Sequence, residues 1–508
     1  MTISCKGDGG ILLTAERFLR PTLPMRSLSF LAALALPLAA APPSTGEWRQ
    51  FRGPNGTGVG TSTGLPVEMD ASHNLAWKAA TPSSYSSPVL TADRVYLTGH
   101  EDTKLFTVAL DRSTGRELWR AEAPKPWPVK PKGPASPSMS SPATDGDHVY
   151  VVWEHSGLLS YDKSGKLRWT LPLGDINTPY GFGSSPAVFD STVVLICDQD
   201  GESFVLAVHK DTGKLLWKTA RPHAQHSFPS PVLFEPRGKD GKPGPRQVVV
   251  SGSHQVAGYS LATGERLWWV DGMAWQAKQT PLVDGGTIYV LSSMPPMQEL
   301  GPVPAEKTLP DFLEKYDANK DGKMTKDEAP SAKPYGMREL WFLWDTNKNG
   351  HLDAIEVEIF LKRNSARSGL YALRPEGAGD LTASAIAWSY AKGLPNIPSP
   401  LLYQGLLYLI REGGILTALE PATGKVVKQG RVTGALGDYF ASPVAADGKI
   451  FLLTHDGKFA VIKAGSEFEV LKVNELDETS WATPAIDGNQ VFVKTQSAIY
   501  CFELKKAG

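Results

Sequence analysis

From residue 86 onward the chain breaks into short apolar runs separated by polar turn formers. Ser86-Ser87-Pro88-Val89-Leu90 is followed by Arg94-Val95-Tyr96-Leu97, then by Leu105-Phe106-Thr107-Val108-Ala109-Leu110, and last by the stretch Asp111 to Trp119. Such runs, rich in β-branched and aromatic residues and bounded by turns, predict four strands. The unit recurs, each copy opened by a Ser-Pro or Thr-Pro step at Pro88, Pro142, Pro186, Pro231, Pro281, Pro400, Pro443 and Pro484. Successive spacings are 54, 44, 45, 50, 119, 43 and 41 residues, so there are eight units, one of them carrying an insertion.

A four-strand unit with this period predicts an all-β, eight-bladed β-propeller, because no sheet buries both faces until its neighbours stack around an axis. Proline suits the start of a first strand, where no ladder donor is needed. Gly-x-x-x-Trp endings place Trp119, Trp169, Trp217 and Trp268 at one point of the outer strand, and Trp388 holds a comparable place in the fifth unit. These tryptophans are expected to wedge against the next blade.

The ends of the chain complement each other. Asn74-Leu75-Ala76-Trp77-Lys78 reads as an outer strand with no inner three before it, and the last unit, Thr483 to Leu504, lacks an outer one. Strand 74–80 is therefore expected to complete the eighth blade and remove an open edge. Residues 42–73, which include Trp48-Arg49-Gln50-Phe51-Arg52-Gly53, form a lead-in read as a plug or collar on the propeller rather than a binding loop. The blades take residues 74–293 and 368–508, and an insertion, 294–367, falls between the second and third strands of the fifth blade. Because strands alternate in direction, that loop emerges on the face of the blade-to-blade connections, and the insertion is expected to lie over it.

Within the insertion, Asp317, Asn319, Asp321, Gly322 and Glu328 repeat as Asp345, Asn347, Asn349, Gly350 and Glu356. Both match a calcium loop: oxygen side chains at positions 1, 3 and 5, glycine at the sharp turn, and a bidentate glutamate at 12. Lys323 and His351 would add backbone carbonyls, Thr325 and Asp353 fill position 9, and Met324 and Leu352 are apolar residues able to pair between loops. Residues 311–316 and 338–344 read as entering helices and 354–362 as a leaving helix, an α-helical EF-hand pair holding two calcium ions. Pro330 and Pro334 cut short the helix leaving the first loop, which makes face-to-face pairing of the loops less secure. Extracellular modules of this kind bind at about 0.1–1 mM, which favours a structural ion over a sensor.

Three residues before each opening proline stand Tyr85, Met139, Gly183, Phe228, Lys278, Ile397, Phe440 and Trp481. Six are large and apolar, and together they would ring the channel mouth on the face of the insertion. Packing of the mouth is one reading. The other is a ligand floor for a protein or glycan, with Tyr85, Phe228, Lys278, Phe440 and Trp481 as its residues. His223 and His226 lie nearby without acidic neighbours at metal spacing and read as hydrogen-bonded loop residues.

The totals narrow the field. Lysine and arginine number 52 against 53 acids, a net charge of −1 with no basic run, which excludes nucleic acid as a partner. Cys5, Cys197 and Cys501 show no CxxC or metal spacing, and the latter two fall in the third and eighth blades, too far apart for a disulfide. Residues 25–41, a charged start, an apolar run and a small-residue exit, read as a signal peptide. Met25 is then the natural start and residues 1–24 an extension. This implies a periplasmic or extracellular protein with no transmembrane segment once the signal is removed.

The Ser-Pro opening, the Thr-Gly-Lys/Arg turn and the terminal tryptophan, as in Lys210-Asp211-Thr212-Gly213-Lys214-Leu215-Leu216-Trp217, resemble the pyrroloquinoline quinone (PQQ)-like propeller repeats. That superfamily includes quinoprotein alcohol dehydrogenases and the outer-membrane assembly factor BamB. Resemblance to the enzymes implies adjacent cysteines near the cofactor, an aspartate base and central calcium ligands. The three cysteines are not adjacent, and no match to the other residues is found, which argues against bound PQQ and assigns no catalytic residue. The expected function is a non-enzymatic binding or assembly scaffold. A PQQ-dependent dehydrogenase with a diverged centre and a carbohydrate-binding propeller are the alternatives.

Overall fold

The structure, a computed structural model, describes residues 48–129, 134–238, 241–293, 305–333 and 336–504. The expected extension and signal segment, with Cys5, lie outside them, as does Pro334. Among the described residues no helix is long and apolar enough to cross a membrane.

Eight antiparallel sheets form the ring. Blade 1 consists of Val89–Leu90, Arg94–Glu101, Lys104–Asp111 and Glu117–Glu122. Blades 2 to 7 follow at 143–171, 187–220, 232–271, 282–390, 401–431 and 444–475. Leu75–Ala80 is the fourth strand of blade 8, pairing with Ala498–Glu503 in a register from Leu75 opposite Phe502 to Ala80 opposite Ala498. Blade 4 gains a short parallel strand, Gly379–Asp380, from the loop before the outer strand of blade 5. Second and third strands are almost wholly buried and outer strands alternate, as they must when both faces of a sheet are covered and only its outer edge meets water.

A ring of hydroxyls closes the circle. The residue before each opening proline donates its backbone N–H to the hydroxyl of its counterpart in the next blade: Ser87 to Ser141, Ser141 to Ser185, Ser185 to Ser230, and Ser230 to Thr280. The series continues from Thr280 to Ser399, Ser399 to Ser442, Ser442 to Thr483, and Thr483 back to Ser87, at 2.9–3.3 Å throughout. Proline holds the residue before it extended, which keeps every hydroxyl in one orientation.

Between blades the tryptophans do what their spacing suggests. The indole N–H of Trp119 donates to Lys163 O, that of Trp169 to Lys210 O, that of Trp217 to Leu261 O and that of Trp388 to Pro421 O, each in the next blade. Trp77 does the same to Arg112 O, joining blade 8 to blade 1. Each ring covers the turn glycine of that next blade, so a Cβ at Gly165 or Gly213 would come within 2.6 Å of it. Trp268 departs: its N–H turns to Gln247 in its own blade, because blade 5 offers the strand Gly379–Asp380 where the others offer a Ser-Gly or Thr-Gly turn.

The lead-in closes the channel at the end away from the insertion. Trp48 O accepts from Leu90 N, Arg49 O accepts from Thr144 N, and Gly58 and Gly60 pair with Ala445. Asn55 imitates a strand residue, its amide donating to Leu233 O at 2.9 Å and accepting from Leu233 N at 2.7 Å. Arg52 has no exposed surface; it reaches Pro400 O at 2.7 Å, and burial pushes its pKa down to about 9.

Two helices form in the insertion, α1 (Leu309–Tyr316) and α2 (Ala354–Ser365), each with a capping box, from Thr308 and Asp353. The helix expected over 338–344 is instead a turn followed by a 3-10 helix, Trp341–Leu343. Gly336 precedes it, the segment is too short to hold a helix unaided, and Trp341, Leu343 and Trp344 are drawn into the core of the insertion. The described residues thus give two helices, not the full complement of an EF-hand pair. The two loops nevertheless meet in a short antiparallel ladder, Met324 opposite Leu352 and Thr325 opposite His351. After the first loop the described residues form a single turn and no helix, and the pairing holds without one.

Candidate functional site

The loops share one internal geometry. In the first, Gly322 N donates to Asp317 Oδ2, Asp321 N to Asn319 Oδ1 and Lys323 N to Asp321 Oδ1. In the second, Gly350 N donates to Asp345 Oδ2, Asn349 N to Asn347 Oδ1 and His351 N to Asn349 Oδ1. Positions 4 and 6 are left-handed in both, Lys320 and Gly322 at φ 56° and 79°, Lys348 and Gly350 at 60° and 87°. These bonds turn the side chains of positions 1, 3 and 5 inward. The glutamates at position 12 fold back over their loops: Glu328 accepts from Thr325, and Glu356 from Thr346, Asn347 and Asp353.

Two carboxylate oxygens are then left over. Glu328 Oε1 and Asp345 Oδ1 are buried without a hydrogen-bond partner among the described residues. A buried unpaired carboxylate oxygen costs free energy unless a cation or donor meets it. One stands at a chelating position of each loop, so the donor set fits a hard, oxygen-seeking divalent ion. The environments differ. Asp317 is half-buried and Asp321 exposed, whereas Asp345 and Glu356 are buried, and desolvation pushes Glu356 up to about 7.

The insertion's own residues cover Asp345 and Glu356, Trp341 donating to the first and Thr346 and Asn347 to the second, and the propeller stands close by. A cavity of ≈ 750 Å³ lies between the second loop and blade 3, with Asn347, Asp353 and Glu356 on one wall and Ser203, Phe204 and Lys218 on the other. Lys348 Nζ reaches Asn177 Oδ1 at 2.8 Å, and α2 continues the contact: Glu358 meets His223 Nε2 at 2.6 Å and Lys362 meets Asp271 at 3.0 Å. Arg363, 3 % exposed, donates to Leu343 O and Gln225 Oε1 and lies 4.5 Å from the Trp275 ring centre. His226 pairs with Asp200 at 2.7 Å. Both loop histidines therefore do have carboxylate partners, remote in sequence.

All eight residues expected at the channel mouth are half-buried. Tyr85, Trp481 and Phe440 form one stack across blades 1, 8 and 7, with ring centroids 4.4 and 3.9 Å apart, and His455 sits edge-on to Trp481. Phe228 belongs to a different group, with Tyr180 and His226. Lys278 Nζ donates to Asn396 Oδ1 at 2.7 Å, and burial pushes its pKa down to about 8. The five proposed ligand residues thus divide into a three-ring platform and two separate groups. Met139, Gly183 and Ile397 complete the ring of positions.

Sequence reasoning missed Lys494, which has no exposed surface and among the described residues bonds to the carbonyls of Thr495 and Gln496, and burial lowers it to about 7. It also missed His254, buried with neither ring nitrogen bonded among the described residues and lowered to about 3 by burial. A charged residue ending an otherwise apolar strand, as in Val491-Phe492-Val493-Lys494, was the available signal for the first. Nothing in the local pattern marks the second. Cys197 and Cys501 are free thiols, both buried.

Among known structures, BamB from Moraxella catarrhalis superposes with a TM-score of 0.51 at 10% identity, over 85% of this chain and 99% of that one. The quinohemoprotein alcohol dehydrogenase ADHIIG from Pseudomonas putida HK5 gives 0.51 at 15% identity, over 91% and 81%. A europium-containing methanol dehydrogenase gives 0.54 at 11%, over 90% and 98%. At these identities the likeness is one of fold, and it is shared by an assembly factor and by enzymes. No curated protein matches. The family model described as outer membrane protein assembly factor BamB matches residues 104–239, 201–301 and 364–507, most of the propeller. On that match, the chain belongs to the BamB family of propellers.

Proposed function

We propose that this protein is a secreted or periplasmic, calcium-binding propeller that serves as a non-enzymatic binding or assembly platform. One observation carries the calcium reading: two paired loops that repeat the same turn of backbone bonds, with Glu328 Oε1 in one and Asp345 Oδ1 in the other buried and lacking a hydrogen-bond partner among the described residues. Asp317, Asn319, Asp321 and Glu328 would hold one ion, and Asp345, Asn347, Asn349 and Glu356 the other, with Lys323 and His351 lending carbonyls and Thr325 and Asp353 filling position 9. The ion supplies positive charge to a cluster of carboxylates and so orders the insertion. The platform reading draws on the Tyr85, Trp481 and Phe440 stack, whose flat faces suit a protein or glycan ligand, and on the outer-membrane assembly role in the family's description.

Calcium titration calorimetry tests the reading. The full chain is expected to take up two ions, Glu328→Gln and Glu356→Gln to lose one each, and the double variant both. Added quinone is expected to give no cofactor absorbance and no dye-linked alcohol oxidation. Calcium retained in the double variant together with quinone uptake would replace this reading with a dehydrogenase.

A further inference from the structure

The second loop differs from the first in one respect that bears on how the molecule works: the propeller forms part of its surroundings. Glu356 is the third residue of α2, and two, six and seven residues further along that helix stand Glu358, Lys362 and Arg363, which grip the ring. Of their partners, His223 and Gln225 belong to the connection between blades 3 and 4, and Asp271 ends the outer strand of blade 4. Arg363 also binds Leu343 O, in the segment that leads into the same loop at Asp345. Both ends of the loop are therefore fixed through one buried guanidinium that rests on Trp275. Past the helix, Arg367 N donates to Gly272 O. The first loop has no such contacts with the ring among the described residues, and of its carboxylates Asp321 is exposed and Asp317 only half-buried.

Resting on the calcium reading above, we propose that the second loop is a joint site of insertion and propeller. Its ion and the docking of α2 on blades 3 and 4 favour each other, so calcium fastens the insertion over that sector of the face. The physical route is short. Docking holds Glu356 and Asp345 in place before the ion arrives, and the ion in turn relieves the clustering of Asp345, Asp353 and Glu356 that an ordered loop imposes. By linkage, the factor by which docking raises calcium affinity equals the factor by which calcium strengthens docking. Asp271 and Gln225 are positioning residues for a metal that neither touches.

The test uses the full chain, with calorimetric calcium titration of wild type and of Asp271→Asn/Gln225→Ala, both changes lying in the propeller. The first loop is an internal control, since its affinity reports that the insertion is folded. The second site is expected to weaken about tenfold, within the roughly 5–150-fold range of coupled sites, while the first is unchanged. Hydrogen exchange along α2 is expected to slow on calcium addition in wild type and not in Glu356→Gln. Equal wild-type affinities at both sites of the double variant would overturn the joint site, as would α2 exchange indifferent to calcium when both loops fill. Absence of any calcium uptake would instead overturn the calcium reading, and this one with it.

Discussion

Gly213 has φ +68° and would press a Cβ to within 2.6 Å of the Trp169 ring, whereas Gly241 has φ +76° with nothing within 4 Å. Gly241→Ala meets only backbone strain and is expected to lose about 1 kcal/mol, whereas Gly213→Ala also displaces a tryptophan and should lose about 2–4 kcal/mol. Urea midpoints of the two variants check the difference. Lys494 gives a prediction in pH. Its folded pKa, about 7, lies below the ordinary lysine value of 10.5, so between the two the unfolded chain binds more protons and stability rises with pH. Lys494→Met should flatten that rise and be the more stable form near pH 7, by an amount on the order of a few kcal/mol. A flat wild-type profile from pH 7 to 10 would show that Lys494 keeps its charge when folded. These residues were partly legible: the Gly-x-x-x-Trp spacing announced the wedge, but the glycine beneath each ring belongs to another blade, as Gly213 lies 44 residues beyond Trp169, and local pattern does not show it.

At the scale of elements, every blade carries the same irregularity. The outer strand bulges just before the tryptophan position, as where Ala207 faces Trp217 but Val208 faces Leu215. The same shift recurs opposite Ala109, Ser160, Gly258, Ala372, Ala418, Val461 and near Cys501. A bulge increases local twist and re-aims a side chain. The residue facing the re-aimed ring is correspondingly small in most blades. The strands and their order were readable because turn formers punctuate them. The bulges were not, since an extra residue leaves the apolar alternation of so short a strand ambiguous. The insertion shows the same limit: acidic spacing fixed the loops, while the collapse of 338–344 into a 3-10 turn follows from tryptophan burial that only tertiary packing decides. The helices it keeps depend on their caps. Thr308→Ala should cost about 1 kcal/mol in α1 and speed its amide exchange, leaving the melting of the blades unchanged.

For the whole molecule, the ring of eight hydroxyls makes each blade accountable to both neighbours. Ser185→Ala would leave the Ser141 N–H buried without an acceptor, at a cost of about 1–3 kcal/mol, read as a lower denaturant midpoint with an unchanged slope. The Ser-Pro step was legible as a strand opening, but its hydroxyl was not legible as a clasp, because its partner lies a full repeat away. Removing residues 44–80 should do more harm than any substitution, since it exposes the Ala498–Glu503 edge, and self-association on size exclusion is the expected result.

That last pairing also sets a schedule. Of the described strands Leu75–Ala80 is made first and its partner Ala498–Glu503 last, about 400 residues later. At about 5–20 residues per second the early strand waits roughly 20–80 s for the late one. Seven blades can settle as they emerge, but the eighth cannot. A chaperone that shields the waiting segment would therefore act on a stretch of this propeller whose mate does not yet exist.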